Sequence, residues 1–387
     1  MAADLLGSRG WSVTVADASR EALDRCLERC RRAGGGGKAR LPKTVLADLS
    51  QAVEVTALAA KHDVVLGALS SHLAFNALRA VIEASKPYAD IAFMAEDPTE
   101  LSALAKRRGV TAIVDCGVAP GMSNLLAGAA ARMLTPCNRI DIMVGGLPLE
   151  RRAPFQYKAG FSPADVIEEY TRPARLVEHG RIVVKEALSE AELVDLPGVG
   201  TVEAFNTDGL RSLATTLKVP HMRERTLRWP GHIELMKAFR AAGCFQKEPI
   251  DVRGADGGMV RVSPLAVTSK LLFPLWMYDE DEPDLTVMRV IGEGRMAKAS
   301  HGIRKGQPVR IIWDLLDVRD PQTGFTSMSR TTAFPCTITA RLLASGGLRR
   351  PGVLPPELLA GERGYLEAMF GEHARRGVEY TSRIELL

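Results

Sequence analysis

The first 115 residues alternate short β-branched runs with amphipathic stretches, and acids stand where several of the runs end. Strand-prone segments at 11–16, 44–46, 63–68, 88–93 and 110–114 are separated by helical ones at 19–32, 49–60, 73–84 and 100–108. A helix ending at Gly7 and Gly10 precedes them. Apolar strands alternating with helices predict an α/β fold whose parallel sheet is covered on both faces. Such a sheet binds ligands at the carboxyl ends of its strands, where Asp17, the 67–71 loop, Asp90 and Asp115 would gather.

Asp17 is the informative acid. In a dinucleotide-binding unit, the strand after the first helix ends in a carboxylate that accepts from ribose hydroxyls, about twenty residues beyond a glycine fingerprint. Counting back from Asp17 places that fingerprint before Met1. The expectation is a chain that begins after its first strand and glycine loop, through an upstream start or a truncated form, and that binds NAD weakly. A carboxylate at 17 favours NAD over NADP because it repels a 2′-phosphate, a preference that Arg20 weakens. Ala68, Leu69 and Ser70 would pass under the cofactor. The glycine run 34–37 follows a helix, so no helix start aims its N–H groups, and it reads as a flexible linker.

The last strand of the series leads into Asp-Cys-Gly-Val-Ala-Pro-Gly-Met-Ser-Asn at 115–124, and the alanine-rich stretch 125–133 continues as a helix. An acid, a thiol, the two glycines Gly117 and Gly121, a proline and a Ser-Asn helix start can converge there on a small ligand. Cys116 is either a reactive thiol or a small residue filling a tight turn. Beyond it the pattern changes. A strand at 140–144, closed by Gly145-Gly146, is followed by a helix that Ser162, Pro163 and Asp165 start and Pro173 ends. Strands are expected at 174–177, 182–186, 193–196, 202–206, 285–291 and 307–316. Helices are expected at 210–217, 233–242, 265–277 and 327–343, with an acidic surface turn at 279–284. This second part reads as an α+β domain.

Of the 387 residues 46% are hydrophobic, enough for two cored domains and too many for a disordered chain. Fifty basic against 46 acidic residues leave a formal charge of +4, too weak a field to imply a nucleic-acid or membrane partner. No signal-peptide pattern opens the chain, so a cytoplasmic location is expected. The six cysteines lack the paired spacing of a zinc site, and no metal is expected.

The 115–124 loop resembles the signature loop of the saccharopine dehydrogenase superfamily. Ile-Glu-Glu-Tyr-Thr-Arg-Pro-Ala-Arg at 167–175, Thr-Asp-Gly-Leu-Arg-Ser-Leu at 207–213 and Thr-Leu-Arg-Trp-Pro-Gly-His at 226–232 are similar to its NAD-dependent lysine epsilon-dehydrogenase branch. The resemblance covers nearly the whole chain in the same order. It implies a Rossmann domain over 1–117 and 327–352, a substrate and oligomerisation domain over 118–326, a helical tail over 353–387, and a homodimer or homotetramer. It also implies lysine catabolism by oxidative deamination of the epsilon-amino group, with hydride transfer to NAD and release of ammonia. A saccharopine or carboxynorspermidine dehydrogenase and a non-catalytic homologue are the alternatives. Asp90 and Asp115 are the acids best placed to act as base or to orient a water. By matching, Arg172 falls on the substrate arginine and Asn124, Tyr157 and Lys158 on other pocket residues. Arg211 is a second candidate for the substrate carboxylate. Glu96 or Asp97 would pair with the α-ammonium or else cap the helix after Pro98. His232, at a helix start that lowers imidazole basicity, reads as structural rather than catalytic.

Overall fold

The structure, a computed structural model, describes residues 1–34, 39–300 and 302–387; apart from Gly34, the glycine run expected as a linker lies outside them. Two compact units divide the chain. The first holds Met1–Met133, Asp320–Phe325 and Ser329–Tyr380, and the second Leu134–Arg319, Thr326–Met328 and Thr381–Leu387. The first unit thus runs past residue 117 to the end of the helix Met122–Met133. The segment 353–387, expected as a helical tail, contributes the strands Gly352–Leu354 and Tyr380–Leu386 besides the helix Tyr365–Ala374.

All strand pairs of the first unit's described residues are parallel. Thr14–Asp17 pairs with Lys43–Leu46 in one sheet. A second sheet runs in the order Gly352–Leu354, Thr111–Ile113, Tyr88–Asp90, Val65–Gly67. These strands are shorter than the apolar runs that predict them. The run at 88–93, for example, leaves the ladder after Asp90, and the Ala92 N–H turns back to Asp90 Oδ1 at 2.6 Å. The helix Arg20–Ala33 starts where Ser19 Oγ accepts from Ala22 N–H, and Arg31 and Arg32 in its last turn face the negative end of its dipole. The helix Ser71–Glu83 buries Ala74, Leu78, Val81 and Ile82 in one core with Tyr88, Ala112, Val114 and Val353. That core fixes where the strands end, and so where their terminal acids stand.

The second unit is built on a nine-stranded mixed sheet. Its order is Tyr380–Leu386, Pro308–Val318, Asp284–Met296, Leu134–Pro148, His221–Arg228, Gly200–Asn206, Glu192–Leu196; Ala174–Glu178 pairs with His221–Arg228 and with Arg181–Lys185. Its central strand corrects the expectation of a short run closed by glycines, because Leu134–Pro148 passes straight through Gly145-Gly146. A Cβ at Gly145 would lie 2.7 Å from the Leu227 carbonyl oxygen, and one at Gly146 would lie 2.2 Å from Met328 Cε. These glycines permit close approach within a sheet and do not end it. The helices Pro163–Thr171, His232–Ala241 and Pro264–Trp276 share a core of Val166, Tyr170, Ile233, Met236, Phe205 and Trp276. The helix expected at 210–217 shrinks to Leu213–Thr216, since Arg211 takes a left-handed φ of 53° that no helix interior accommodates. The acidic turn at 279–284 is not all surface. Asp284 is buried and accepts from the N–H groups of Ser327 and Met328, and buried Glu282 pairs with Lys158.

Candidate functional site

In the first unit the carboxyl ends of two neighbouring strands bring Asp90 and Asp115 together. Asp90 is fully buried. Its Oδ2 accepts from the Tyr88 hydroxyl at 2.9 Å and its Oδ1 from Ala92 N–H, while its carbonyl accepts from Cys116 N–H at 2.6 Å. Burial pushes its carboxyl up to about 7, against the pull of those two hydrogen bonds and with help from the Asp115 charge. Asp115, also buried, holds a φ of 51°. A non-glycine residue in that region is a sign of local strain, which accumulates at functional sites. Gly67 completes the arrangement, because a Cβ there would fall 1.9 Å from the Tyr88 hydroxyl and 2.8 Å from Asp90 Cγ.

The loop after Asp115 is held by its glycines. Gly117 N–H donates to the Pro120 carbonyl, and a Cβ at Gly121, whose φ is 144°, would overlap Gly117. Asn124 is buried, and its amide is used inside the unit. Its Oδ1 accepts from Gly121 N–H and Ser123 Oγ, and its Nδ2 donates to Glu357 Oε2 at 3.5 Å. Cys116 follows the bland reading. Its thiol lies 3.2 Å from Thr339 Oγ1, and burial pushes it up to about 12, so it stays protonated at neutral pH.

The remaining residues expected in this unit lie nearer its surface. Asp17 ends its strand, and its Oδ1 accepts from Ser19 N–H at 2.7 Å. Ala68 and Ser70 are exposed and Leu69 half-buried, directly after Gly67. Glu96 is exposed in a bend. Asp97 does the capping, with Oδ1 accepting from Thr99 N–H and Oγ1.

In the second unit the three sequence motifs meet. Arg175 forms a two-pronged pair with Asp208, at 2.8 and 2.9 Å. Thr207 donates to buried Glu224 and touches Thr226, and a Cβ at Gly209 would lie 2.2 Å from the Glu224 carboxyl. Burial holds that carboxyl up at about 8. Arg228, which sequence reasoning missed, is the centre of a buried cage. Its guanidinium donates to the Tyr170 hydroxyl at 3.0 Å and to Glu169 Oε2 at 2.8 Å, and lies 4.6 Å from the Tyr157 ring centre. The only sequence sign was a basic residue within an otherwise apolar Leu-Arg-Trp run.

His232 joins the same cage. Its Nε2 lies 2.9 Å from the Tyr170 hydroxyl and its Nδ1 2.9 Å from the Phe155 carbonyl. Burial, then the Arg228 charge, pushes the imidazole down to about 3. A neutral ring therefore donates through Nδ1 and accepts from Tyr170 through Nε2. Of the pocket residues expected in this unit, Tyr157 belongs to the cage. Its ring is tilted by 40° against that of His232, with the ring centres 4.7 Å apart. Lys158 donates to the Met277 carbonyl at 2.7 Å and pairs with Glu282. Arg172 stands at the extended C-terminal cap of its helix, 3.7 Å from Glu168, and the Nε of Arg211 is buried.

A parallel sheet with acids at its carboxyl ends, joined in one chain to a mixed-sheet unit, defines a Rossmann-type protein. The comparisons make this specific. Residues 1–113 match the saccharopine dehydrogenase NADP binding domain, and residues 117–378 match the saccharopine dehydrogenase C-terminal domain. The chain belongs to the saccharopine dehydrogenase family. It is 20% identical over 370 residues to the mitochondrial alpha-aminoadipic semialdehyde synthase of Mus musculus, a match that takes in 79% of this chain and 39% of that protein. A match to the Arabidopsis thaliana alpha-aminoadipic semialdehyde synthase is 24% identical and covers 53% of this chain and 21% of the relative. The chain thus spans about two fifths or less of the curated relatives it matches. Among solved structures, the apo saccharopine dehydrogenase (L-Glu forming) of Saccharomyces cerevisiae superposes with a TM-score of 0.75 at 17% identity, over 99% of this chain and 96% of that one. The homospermidine synthase of Legionella pneumophila, solved with NAD, gives 0.57 at 10% identity over 98% and 92%. Both likenesses are of fold. Within this family, residues 1–113 are the part that corresponds to the nucleotide-binding domain.

Proposed function

We propose that this protein oxidatively deaminates the epsilon-amino group of L-lysine with NAD as acceptor, giving the semialdehyde, which cyclises, and ammonia. The observation that carries the reading is Asp90, a buried carboxyl held near 7 at the end of a parallel strand beside Asp115. The substrate amine must lose its proton before the carbon beside it can give up hydride. A carboxylate poised near neutrality is matched to taking that proton. Tyr88 and the Ala92 N–H fix the Asp90 oxygens, and Asp115 is proposed to orient the water that attacks the substrate iminium. Bound NAD would supply the hydride acceptor.

The residues fit a dinucleotide at Asp17. With Oδ1 taken by Ser19 N–H, its Oδ2 is left to accept from a ribose hydroxyl, and its charge favours NAD. Ala68, Leu69, Ser70 and Gly117 are assigned the remaining cofactor contacts. For the substrate, Arg172 and Arg211 are the proposed carboxylate partners and Glu96 the α-ammonium partner. Tyr157, Lys158 and Asn124 shape or brace the pocket. Incubating the chain with NAD and L-lysine, while following reduced cofactor and ammonia together, tests the reading. Ammonia released in step with reduced cofactor, and lost in Asp90→Asn, supports it.

A second reading comes from the relatives, whose names include saccharopine dehydrogenase and alpha-aminoadipic semialdehyde synthase. In that case saccharopine, not lysine, reduces the cofactor, and an amino acid leaves in place of ammonia.

A further inference from the structure

The helix His232–Ala241 and the loop 186–190, which joins the strands Arg181–Lys185 and Glu192–Leu196, border a cavity of about 530 Å³ in the second unit. Glu186, Ala187, Leu188 and Ser189 line one wall, and Lys237 and Arg240 the other. None of the residues assigned above to cofactor or substrate borders it. The volume suits a ligand of metabolite size.

The loop wall is held in a costly conformation. Leu188 and Glu190 take left-handed φ values of 62° and 52°, a region that residues with side chains seldom occupy and that recurs at binding sites. Leu188 is fully buried in one core with Tyr170 and Phe205, which anchors the loop. Ser189 Oγ accepts from Asn206 Nδ2 at 3.2 Å, and its own proton is left to donate.

Lys237 and Arg240 stand three residues apart and so share a helix face. Arg240 Nη1 donates to the carbonyls of Ala187 at 2.7 Å and Tyr170 at 3.3 Å, so the guanidinium is fixed in advance of any ligand. Its Nη2 lies 3.6 Å from Glu186, beyond a good hydrogen bond, and the Glu186 side chain is 85% exposed. Lys237 pairs with exposed Glu234 at 2.8 Å, a surface pair of the kind that contributes little in water. Both cations therefore have partners that a ligand can displace.

We infer that this cavity binds a small acidic amino acid. The lining side chains carry two positive charges and one negative, and the surplus matches the single net negative charge of such a ligand. Arg240 takes one carboxylate, with the Ser189 hydroxyl as a further donor, and Lys237 takes the other. Glu186, released from Arg240, accepts from the ammonium. A cation and an acid side by side complement the carboxylate and ammonium carried on one carbon. An anion without an ammonium gives Glu186 no partner and is repelled by it. The inference rests on no step of the reaction proposed above.

The test is calorimetric titration of the full chain with L-aspartate and with succinate, which keeps both carboxylates and lacks the ammonium. L-Aspartate should bind about tenfold more tightly than succinate. Lys237→Ala should weaken L-aspartate about tenfold, and Glu186→Gln should remove its advantage over succinate. Arg172→Ala, in the proposed substrate pocket, should leave L-aspartate binding unchanged. Glu186 and Lys237 both reach solvent, so far-UV circular dichroism should not move; if one variant misfolds, the other decides. Absence of L-aspartate binding up to about 10 mM, in heat and in Tm alike, overturns the inference. Equal binding of succinate to the wild type also overturns it. So does L-aspartate binding that Arg172→Ala abolishes and the two cavity variants leave intact.

Discussion

Because Asp90 is buried and its carboxyl raised, its proton is tied to folding, and Asp90→Asn measures that tie. The unfolded carboxyl titrates at its ordinary 3.8 and the folded one at about 7. Between those values the folded chain holds a proton that the unfolded chain has released. Stability contributed at this position is therefore lost as pH rises from about 4 to 7, and it is level above and below that window. At ~1.4 kcal/mol for each pH unit between the two values, the whole span is about 4 kcal/mol, of which pH 5 to 8 captures about 3 kcal/mol. Urea unfolding of wild type and Asp90→Asn at both pH values gives the comparison, because carboxyls distant from Asp90 cancel in the difference. The variant should gain about 3 kcal/mol on the wild type between pH 5 and pH 8. Asp115→Asn should narrow the gap, since the Asp115 charge is one of the causes of the raised value. A wild-type-minus-variant difference that stays constant across this range would refute the raised carboxyl, and with it the base assigned to the reaction.

Gly67→Ala places a Cβ where the Tyr88 hydroxyl now sits, and it should cost about 1–3 kcal/mol and lower Tm. An unchanged Tm would mean the Tyr88–Asp90 pair is not held as described. Arg228→Met strips the buried partner of Glu169 and Tyr170 and should destabilise by about 3–5 kcal/mol in urea. In the same variant the His232 imidazole should titrate above its present value of about 3 in an NMR titration, since one of the two causes of its depression is gone. Iodoacetamide at pH 8 should label the partly exposed Cys26 and Cys244 and spare Cys116 and Cys336 in a mass-spectrometric map. Native labelling of Cys116 at a comparable rate would contradict its burial.

What the chain discloses before folding, and what it withholds, divides along local and non-local lines. The alternation of strands and helices was legible because each element's signal lies within its own residues: Ser19 before its helix, Ser162-Pro163 before another, Pro173 after it. Gly145-Gly146 misled because a glycine pair reads as a stop on its own. Only the approach of Leu227 and Met328 shows why side chains are excluded there. The same holds for Arg228, whose role is set by residues as far away as Tyr157 and Tyr170 and whose local trace is no more than a basic residue in an apolar run. The motifs themselves turn out to be partly mutual. Arg175 is used on Asp208, Gly209 makes room for Glu224, and Tyr170 links Arg228 to His232. A motif residue that holds another motif residue is a poor candidate to hold substrate as well. By that argument Arg175 and Arg228, both committed to close carboxylate partners, are poorly placed to grip a substrate carboxylate as well.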